Sequence, residues 1–179
     1  MGKGIGGHTL PNRGRTDDWI TPRYILKALG RFDLDPCESL KQPWPCARRG
    51  YNIRDDGLSC RWRGRVYCNP PYGDRALPFM ERLASHGNGI GLLFGRTETQ
   101  MFQKHIWLEA DAILFLAGRL HFYLPNGQRA KGNSGGPSVL IAYGKKNIQS
   151  LRDCGLPGAL VTGWRVQNLD SIMSRNAAQ

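Results

Sequence analysis

The sequence predicts an α/β domain with a mostly parallel sheet and an antiparallel hairpin at one edge. Apolar, β-prone segments alternate along the chain with segments of helical periodicity, which is typical of parallel α/β sheets. Two of the strand-like segments end at Asp-Pro and Asn-Pro-Pro, where proline must stop a ladder. The last two are joined by a polar, glycine-rich loop, which favours a hairpin. In such a sheet we expect a ligand at the carboxyl ends of the strands.

The first predicted elements are a helix and a short strand. Thr21 can cap the helix, Pro22 suits its first position, and apolar residues recur at helical spacing until Gly30 ends it. Residues 32–35 alternate as FDLD and predict the strand. The segment 37–65 is rich in Pro, Arg and Cys, and it therefore predicts irregular structure.

The later elements repeat the alternation of strand and helix. Apolar residues at helical spacing predict two more helices, in residues 76–85 and 99–110. Short β-prone runs bounded by Gly, Pro, Asn or charged residues predict four more strands, in residues 66–68, 89–94, 112–117 and 138–143.

Length and composition predict one main domain. A chain of 179 residues fits a single hydrophobic core. Residues 1–16 carry four glycines in the first seven positions and scattered basic side chains, so we expect a flexible basic N-terminal arm there. The domain itself is predicted over residues 17–150, followed by a partly ordered C-terminal extension over residues 151–179.

The chain is strongly basic. Lys and Arg number 25 against 14 Asp and Glu, which gives a net charge of +11. Eighteen of the 25 are Arg, whose planar fork suits phosphates and guanine edges. These numbers favour a nucleic acid partner, and a basic surface that serves only solubility is the alternative. Arg61, Arg63 and Arg65 alternate and would share one face of an extended segment, as candidates for phosphate contact.

Several classes of protein are excluded by the same numbers. The longest apolar runs are far shorter than the roughly 20 residues of a membrane span. The first 18 residues lack an apolar centre, so we expect no secretory signal and a cytoplasmic location. Five cysteines are an odd number without a close C-x2-4-C pair, so we expect reduced thiols and no metal site.

The segment Asn69-Pro70-Pro71-Tyr72 carries the most informative chemistry. Two consecutive prolines lack amide donors, which leaves nearby carbonyls free to accept hydrogen bonds from a ligand. An Asn side-chain oxygen and a neighbouring carbonyl supply two acceptors for the two hydrogens of an amine. Tyr72 supplies a π face for the ring that bears this amine. The alternative is an ordinary Pro-Pro turn with a capping Asn.

Three further motifs precede this segment, and together they resemble a known family. They are WITP at residues 19–22, LDPC at 34–37 and DGL at 56–58. With Asn-Pro-Pro-Tyr after a strand, and in this order, they resemble the phage-type DNA N6-adenine methyltransferase (Dam) family over about residues 17–144. The resemblance implies a Rossmann-like fold that depends on S-adenosylmethionine (SAM).

The resemblance also implies an activity and a set of residues. The activity is site-specific methyl transfer from SAM to the exocyclic N6 of adenine in double-stranded DNA. We expect no membrane attachment and no obligate protein partner. The catalytic residues would be Asn69, Pro70, Pro71 and Tyr72. The SAM-binding residues would be Trp19, Thr21, Pro22, Asp35, Pro36, Cys37, Asp56, Leu58 and Asn69. For DNA contact we select Arg96, Arg119, Phe122, Arg129 and Lys131, with Phe122 as a stacking residue.

The departures from the family pattern leave alternatives open. The usual glycine-rich G-x-G is absent after Asp35, because Cys37 and Glu38 follow Pro36. Glu38 and Asp55 are candidates to replace the acid that binds the ribose of SAM, and the alternative is that both are surface or turn carboxylates. A protein glutamine N-methyltransferase and a nucleic-acid-binding protein on a degenerate methyltransferase scaffold are the rival interpretations. The choice of DNA sequence would depend on the loops at residues 73–78 and 125–136. An oligomer is compatible with the sequence.

Overall fold

The structure is a computed structural model that describes residues 18–167. Its strands are β1 (Leu34–Asp35), β2 (Arg49–Gly50), β3 (Val66–Cys68), β4 (Gly89–Phe94), β5 (Ala112–Leu116), β6 (Ser138–Tyr143) and β7 (Gly158–Thr162). Its α-helices are α1 (Arg23–Leu29), α2 (Ala76–His86) and α3 (Lys145–Asp153). The predicted N-terminal arm of residues 1–16 lies outside the described residues, as does the end of the predicted C-terminal extension. Within residues 18–167, every helix is too short or too polar to span a bilayer.

The seven strands form one sheet in the order β2-β1-β3-β4-β6-β5-β7. β1 pairs in parallel with β2 and β3, and β3 pairs in parallel with β4. β6 runs antiparallel to both β4 and β5, and β7 runs antiparallel to β5. β1 to β5 therefore share one direction, so their carboxyl ends lie along one edge of the sheet.

The predicted antiparallel hairpin at the edge is correct in its pairing and wrong in its position. β5 and β6 are antiparallel neighbours, but β6 lies inside the sheet between β4 and β5, and β7 forms the edge. All six residues of β6 are buried, so this strand needs a neighbour on each side. β7 is partly exposed throughout, which suits an edge.

The core has two layers, one on each face of the sheet. Residues of α1 and α3 pack on one face with Leu140 and Ala142 of β6. Residues of α2 pack on the other face with Val139 and Ile141. The alternation of neighbouring β6 residues between the two layers follows from the period of two in a strand. This three-layer arrangement leaves the strand ends as the place for a ligand.

Two predicted helices differ in detail from the structure. In the predicted helix 99–110, the structure contains a π-helix, Phe102–Trp107, in which Phe102 and Ile106 are fully buried. Thr21 does not cap α1, because its hydroxyl forms a 2.8 Å hydrogen bond with the Tyr67 hydroxyl. The helix instead begins at Arg23, directly after Pro22.

The predicted extended face of Arg61, Arg63 and Arg65 is wrong, because residues 61–65 form no strand. The Arg65 guanidinium is half-buried and donates to the Leu29 and Arg31 carbonyls at 2.9 and 3.0 Å. It also donates to side chains of α3. Arg65 therefore links α1, α3 and the start of β3 and is a structural residue.

Candidate active site

A cleft of about 390 Å³ opens where β1 and β3 end. Short strands that stop at proline leave their carboxyl ends open, so the loops after them form its walls. Pro22 is the one predicted cofactor-binding residue that does not line the cleft. The structure brings the others together with the Asn-Pro-Pro-Tyr loop: the lining includes Trp19, Thr21, Asp35, Pro36, Cys37, Asp56, Leu58, Asn69, Pro70, Pro71 and Tyr72.

Asp35 is a buried carboxylate at the end of β1, only 3% exposed. Its Oδ1 accepts a 2.9 Å hydrogen bond from the Cys37 amide. Burial raises the pKa of Asp35 to about 7, although the Cys37 amide and the Cys46 thiol favour the charged form. No basic group of the described chain is among the causes of this shift. A cationic ligand would supply the missing counter-charge.

The cleft is acidic although the protein is basic. Four acidic residues line it, Asp18, Asp35, Glu38 and Asp56. Arg75 is the one Lys or Arg among the described lining residues. The wall charge therefore has the opposite sign to the net charge of +11. A cleft of this charge favours a cation over a ligand with several phosphates.

Asn69 follows β3 and has a half-satisfied side chain. Its Nδ2 donates a 2.7 Å hydrogen bond to the Trp19 carbonyl, which fixes the orientation of the amide. Its Oδ1 is buried and has no hydrogen-bond partner among the described residues. An unsatisfied buried acceptor costs about 1–3 kcal/mol, so a ligand that donates an N–H here gains affinity. Pro70 and Pro71, which follow, contribute no amide donor to compete for the oxygen.

Tyr72 stands in an aromatic cluster at the cleft wall. Its ring stacks on Phe94 at a centroid distance of 4.5 Å and an interplanar angle of 11°. Phe122 meets it edge-on at 6.3 Å. Burial raises the pKa of the Tyr72 hydroxyl, which keeps it protonated, and the hydroxyl has no partner among residues 18–167. Tyr72 is thus held rigidly by its neighbours on one side of the cleft.

Phe122 differs in environment from the stacking residue that the sequence predicts. It is 4% exposed and packs against Trp19 and Tyr72, so its faces are covered in this conformation. Sequence reasoning missed Phe94, which contacts Tyr72 directly. The available signal was its place at the end of a strand parallel to β3. A stacking role for Phe122 stays a prediction.

The segment before α1 is fixed to the cleft from several directions. Ile20 and Tyr123 exchange two backbone hydrogen bonds of 2.9 Å. The Trp44 indole donates a 2.9 Å hydrogen bond to the Thr21 carbonyl. This bracing holds the Trp19 carbonyl, and therefore Asn69, in place. In the described conformation the Thr21 hydroxyl is used by Tyr67, so its contact with a cofactor stays a prediction.

The thiols near Asp35 are protonated. Burial raises the pKa of Cys37 and of Cys46. The Cys37 and Cys68 sulfurs lie 3.7 Å apart, without a disulfide. Because a thiolate is the reactive form, Cys37 and Cys46 are poor nucleophiles. Across the described residues, no cluster of three or more His, Cys, Asp or Glu could hold a metal ion.

The two candidate acids for the ribose contact lie in different places: Glu38 is in the cleft lining, and Asp55 is not. Glu38 lines the cleft and lies so close to Gly50 that a side chain at residue 50 would overlap its carboxyl group. Asp55 is outside the lining, and its Oδ2 accepts a 2.9 Å hydrogen bond from the Asn52 amide within a turn. The lining also includes Asn52 and Ile53, which the motifs did not indicate, and Ile53 is 80% exposed.

The basic residues selected for DNA contact lie outside the cleft lining. Arg96 and Arg119 follow β4 and β5, so they lie at the same sheet edge as Asp35 and Asn69. Arg129 and Lys131 belong to the long segment that connects β5 to β6. All four of these basic residues are exposed. The edge therefore combines an acidic cleft with basic loops.

Comparison with family models adds an independent finding. A family model described as DNA N-6-adenine-methyltransferase (Dam) matches residues 8–155. No curated protein and no solved structure matches the chain. The match covers most of the chain and includes every residue that lines the cleft.

Proposed function

Because the chain belongs to the DNA N-6-adenine-methyltransferase (Dam) family, we propose that it transfers a methyl group from SAM to the exocyclic N6 of adenine at specific sites in double-stranded DNA. The observation that carries this proposal is the buried, unpartnered Oδ1 of Asn69, which offers an acceptor to an amine inside the cleft. The sheet order, with parallel strands around β1 and β3, supports a Rossmann-like classification.

The residues of the cleft fit SAM. When bound, SAM supplies a methyl group on a positively charged sulfonium, open to in-line displacement by an amine. Asp35 would pair with a positive group of the cofactor, since its carboxylate is buried without a basic neighbour that shifts its pKa. The other lining carboxylates, Asp18, Glu38 and Asp56, add to the same field. A dinucleotide with two phosphates suits these walls poorly.

Glu38 is the better candidate of the two acids for the ribose. Glu38 is one of the residues that line the cleft, whereas the carboxylate of Asp55 is used inside a turn. Gly50, at the end of β2, leaves the space that the Glu38 carboxyl group occupies. The acid thus reaches the cleft from the loop after β1. A carboxylate accepts well from a pair of hydroxyls, which is what a ribose presents.

Asn69 and Pro70 would hold the adenine amine. Asn69 Oδ1 would accept one N–H, and the Pro70 carbonyl would accept the other. These acceptors orient the nitrogen toward the methyl group and become stronger as positive charge develops on it. Catalysis then rests on positioning and electrostatics, without a strong base or nucleophile. This agrees with the protonated state of the nearby thiols.

Tyr72 would receive the ring of the adenine. The base must leave the duplex to reach the cleft, and an aromatic side chain replaces part of the lost stacking. Phe94 and Phe122 hold Tyr72 in one orientation, which lowers the entropic cost of that contact. The exposed Arg96, Arg119 and their basic neighbours would contact the phosphates outside the cleft.

The decisive experiment identifies the product and tests Asn69. Duplex DNA is incubated with the purified protein and methyl-labelled SAM, and its nucleosides are separated by mass spectrometry. We expect N6-methyladenine, and we expect Asn69→Ala to reduce kcat by about 10²- to 10³-fold while calorimetry shows that SAM still binds. Gln149→Ala, which removes an exposed amide on α3 outside the cleft, is the matched control. Label in protein instead of DNA, or near-normal turnover of Asn69→Ala, contradicts the proposal.

A further inference from the structure

Beside the cleft, residues 122–130 form a two-stranded antiparallel ribbon. The Ala130 amide donates to the Phe122 carbonyl at 2.9 Å, and the Leu124 amide donates to the Gln128 carbonyl at 2.8 Å. The three residues between 124 and 128 are Pro-Asn-Gly, and the glycine has φ of 81°, which suits a tight hairpin loop. The ribbon is therefore a defined element within the long connection from β5 to β6.

The base of this ribbon is attached to the wall that would hold the adenine. Phe122 packs edge-on against Tyr72. The next residue, Tyr123, exchanges two backbone hydrogen bonds with Ile20 and packs against Trp44 at 5.0 Å. Since Ile20 itself lines the cleft, the ribbon starts at the cleft rim. DNA that delivers an adenine to Asn69 must place its neighbouring base pairs close to this ribbon.

The two faces of the ribbon carry different side chains. Tyr123 and Arg129 are bridge partners, so they share one face, and the charge of Arg129 acts on the exposed Tyr24. Phe122 and Gln128 occupy alternate positions and therefore share the opposite face. Because Phe122 packs on Tyr72, this second face is the one turned toward the cleft. Gln128 thus lies on the cleft side of the ribbon, near its tip, and is exposed.

The amide of Gln128 is oriented by Asn126. Asn126 Oδ1 accepts from the Gln128 backbone amide at 2.9 Å, and Asn126 Nδ2 donates to Gln128 Oε1 at 3.2 Å. The Gln128 Nε2 group is left with two N–H donors that no contact within the ribbon uses. An oriented amide at the tip of a narrow ribbon is suited to the edge of a base pair.

On the basis of the proposed function, we propose that Gln128, positioned by Asn126, reads a base pair next to the flipped adenine from the major groove of DNA. The major groove admits a two-stranded ribbon, and its purine edges present acceptors for the Nε2 donors. The exposed Arg129 is the next residue along the ribbon, and the exposed Lys131 directly follows the ribbon, so positive charge lies beside Gln128 to match the phosphate backbone. The ribbon would therefore determine part of the target sequence.

The test uses an isosteric exchange of donor for acceptor. Gln128→Glu replaces the NH₂ group with a carboxylate oxygen, which accepts from the N4 amine of cytosine. Gln149→Glu is the matched control, because Gln149 is an exposed amide on α3 whose partner is Asp153. Each protein methylates a library of duplexes with random flanks around adenine. The positions of N6-methyladenine are then sequenced, and SAM affinity is measured by calorimetry.

We expect the wild type and Gln149→Glu to share one flanking preference. Gln128→Glu should shift that preference at one position by roughly 5- to 150-fold, with SAM affinity unchanged. Gln128→Ala is the second variant and should lose discrimination at the same position without a new preference. A wild-type preference that both Gln128 variants retain overturns the inference, as does a wild type without any preference. Absence of N6-methyladenine in all samples overturns the proposed function as well, which distinguishes the two failures.

Discussion

The acidic cleft and the basic loops lie at one edge of the same sheet, yet they rely on opposite electrostatics. The cleft is small, partly buried and lined by four acidic residues. One of them, Asp35, has a raised pKa, and the lining residue Asn69 has an acceptor without a partner. The basic loops are exposed and carry Arg96, Arg119, Arg129 and Lys131. Attraction in the cleft therefore depends on a few groups at short range, whereas attraction at the loops depends on summed charge.

This contrast separates the two ligands of the proposed reaction. Exposed charges are screened within about 8–10 Å at ordinary ionic strength, while buried charges are screened much less. DNA affinity should therefore respond strongly to salt, and SAM affinity should respond to single substitutions. The sign of the net charge, +11, matches the basic loops and not the acidic cleft.

The largest expected effect is the salt dependence of DNA binding. Each neutralised phosphate contributes about −0.9 to the slope of log K against log salt, so about five contacts predict a slope near −4 to −5 and a loss of several hundred-fold between 50 and 200 mM salt. Arg129→Ala with Lys131→Ala should reduce the slope by about 2, whereas Tyr72→Ala should weaken transfer with little change in slope. Fluorescence anisotropy across a salt series measures the slope for the wild type and for each variant. A slope near zero for the wild type would mean that the basic loops do not face DNA, which contradicts the contrast between the loops and the cleft.

The next effect is the loss of SAM affinity in the cleft. Asp35→Ala should weaken binding by about 10- to 150-fold, since a hydrogen bond to a charged group contributes roughly 1.5–3 kcal/mol. Asp35→Asn retains the shape and removes only the charge. Asp55→Asn is the control for the loss of one negative charge, because the Asp55 carboxylate accepts a hydrogen bond within a turn and Asp55 does not line the cleft. Calorimetry that shows equal losses for Asp35→Asn and Asp55→Asn would assign the effect to overall charge and not to the buried site.

The smallest effect is a pH dependence of SAM binding. The pKa of Asp35 is about 7 in the ligand-free protein, above its ordinary value of 3.8, and a cation binds the deprotonated form. Affinity should therefore fall about tenfold as the pH is lowered from 8 to 6. The amino group of SAM titrates in both proteins alike, so the difference between the wild type and Asp35→Asn isolates Asp35. Parallel pH profiles of the two proteins would contradict this role.

The sequence was sufficient for the strands with strong boundaries. β3, β4 and β6 have the predicted bounds because Asn-Pro-Pro, Gly95, Pro137 and Gly144 stop them. α3 was missed because it buries only Asn147 and Leu151 and so lacks an apolar stripe. β7 was missed because it is a short, partly exposed edge strand with little alternation. Such elements depend on tertiary pairing more than on local pattern.

The site shows the same division between local and tertiary information. Asp35 and Asn69 were predicted at the carboxyl ends of two strands, where a ligand is expected, and both line one cleft. The free oxygen of Asn69 could not be predicted, since it depends on the Trp19 carbonyl 50 residues earlier. The burial of Phe122 depends likewise on its packing against Trp19 and Tyr72. Sequence motifs therefore predicted most of the residues that line the cleft, while long-range contacts determine which of their atoms have no partner.

The last strand of the sheet has a consequence for the behaviour of the protein in solution. β7 pairs with all five residues of β5, an apolar strand that would otherwise offer its backbone groups to other chains. Gly158 permits this pairing, because a side chain there would overlap the Phe115 carbonyl. The family match ends at residue 155, just before this strand. A chain shortened to that match would leave one edge of β5 unpaired, so we expect it to aggregate more readily than the full chain.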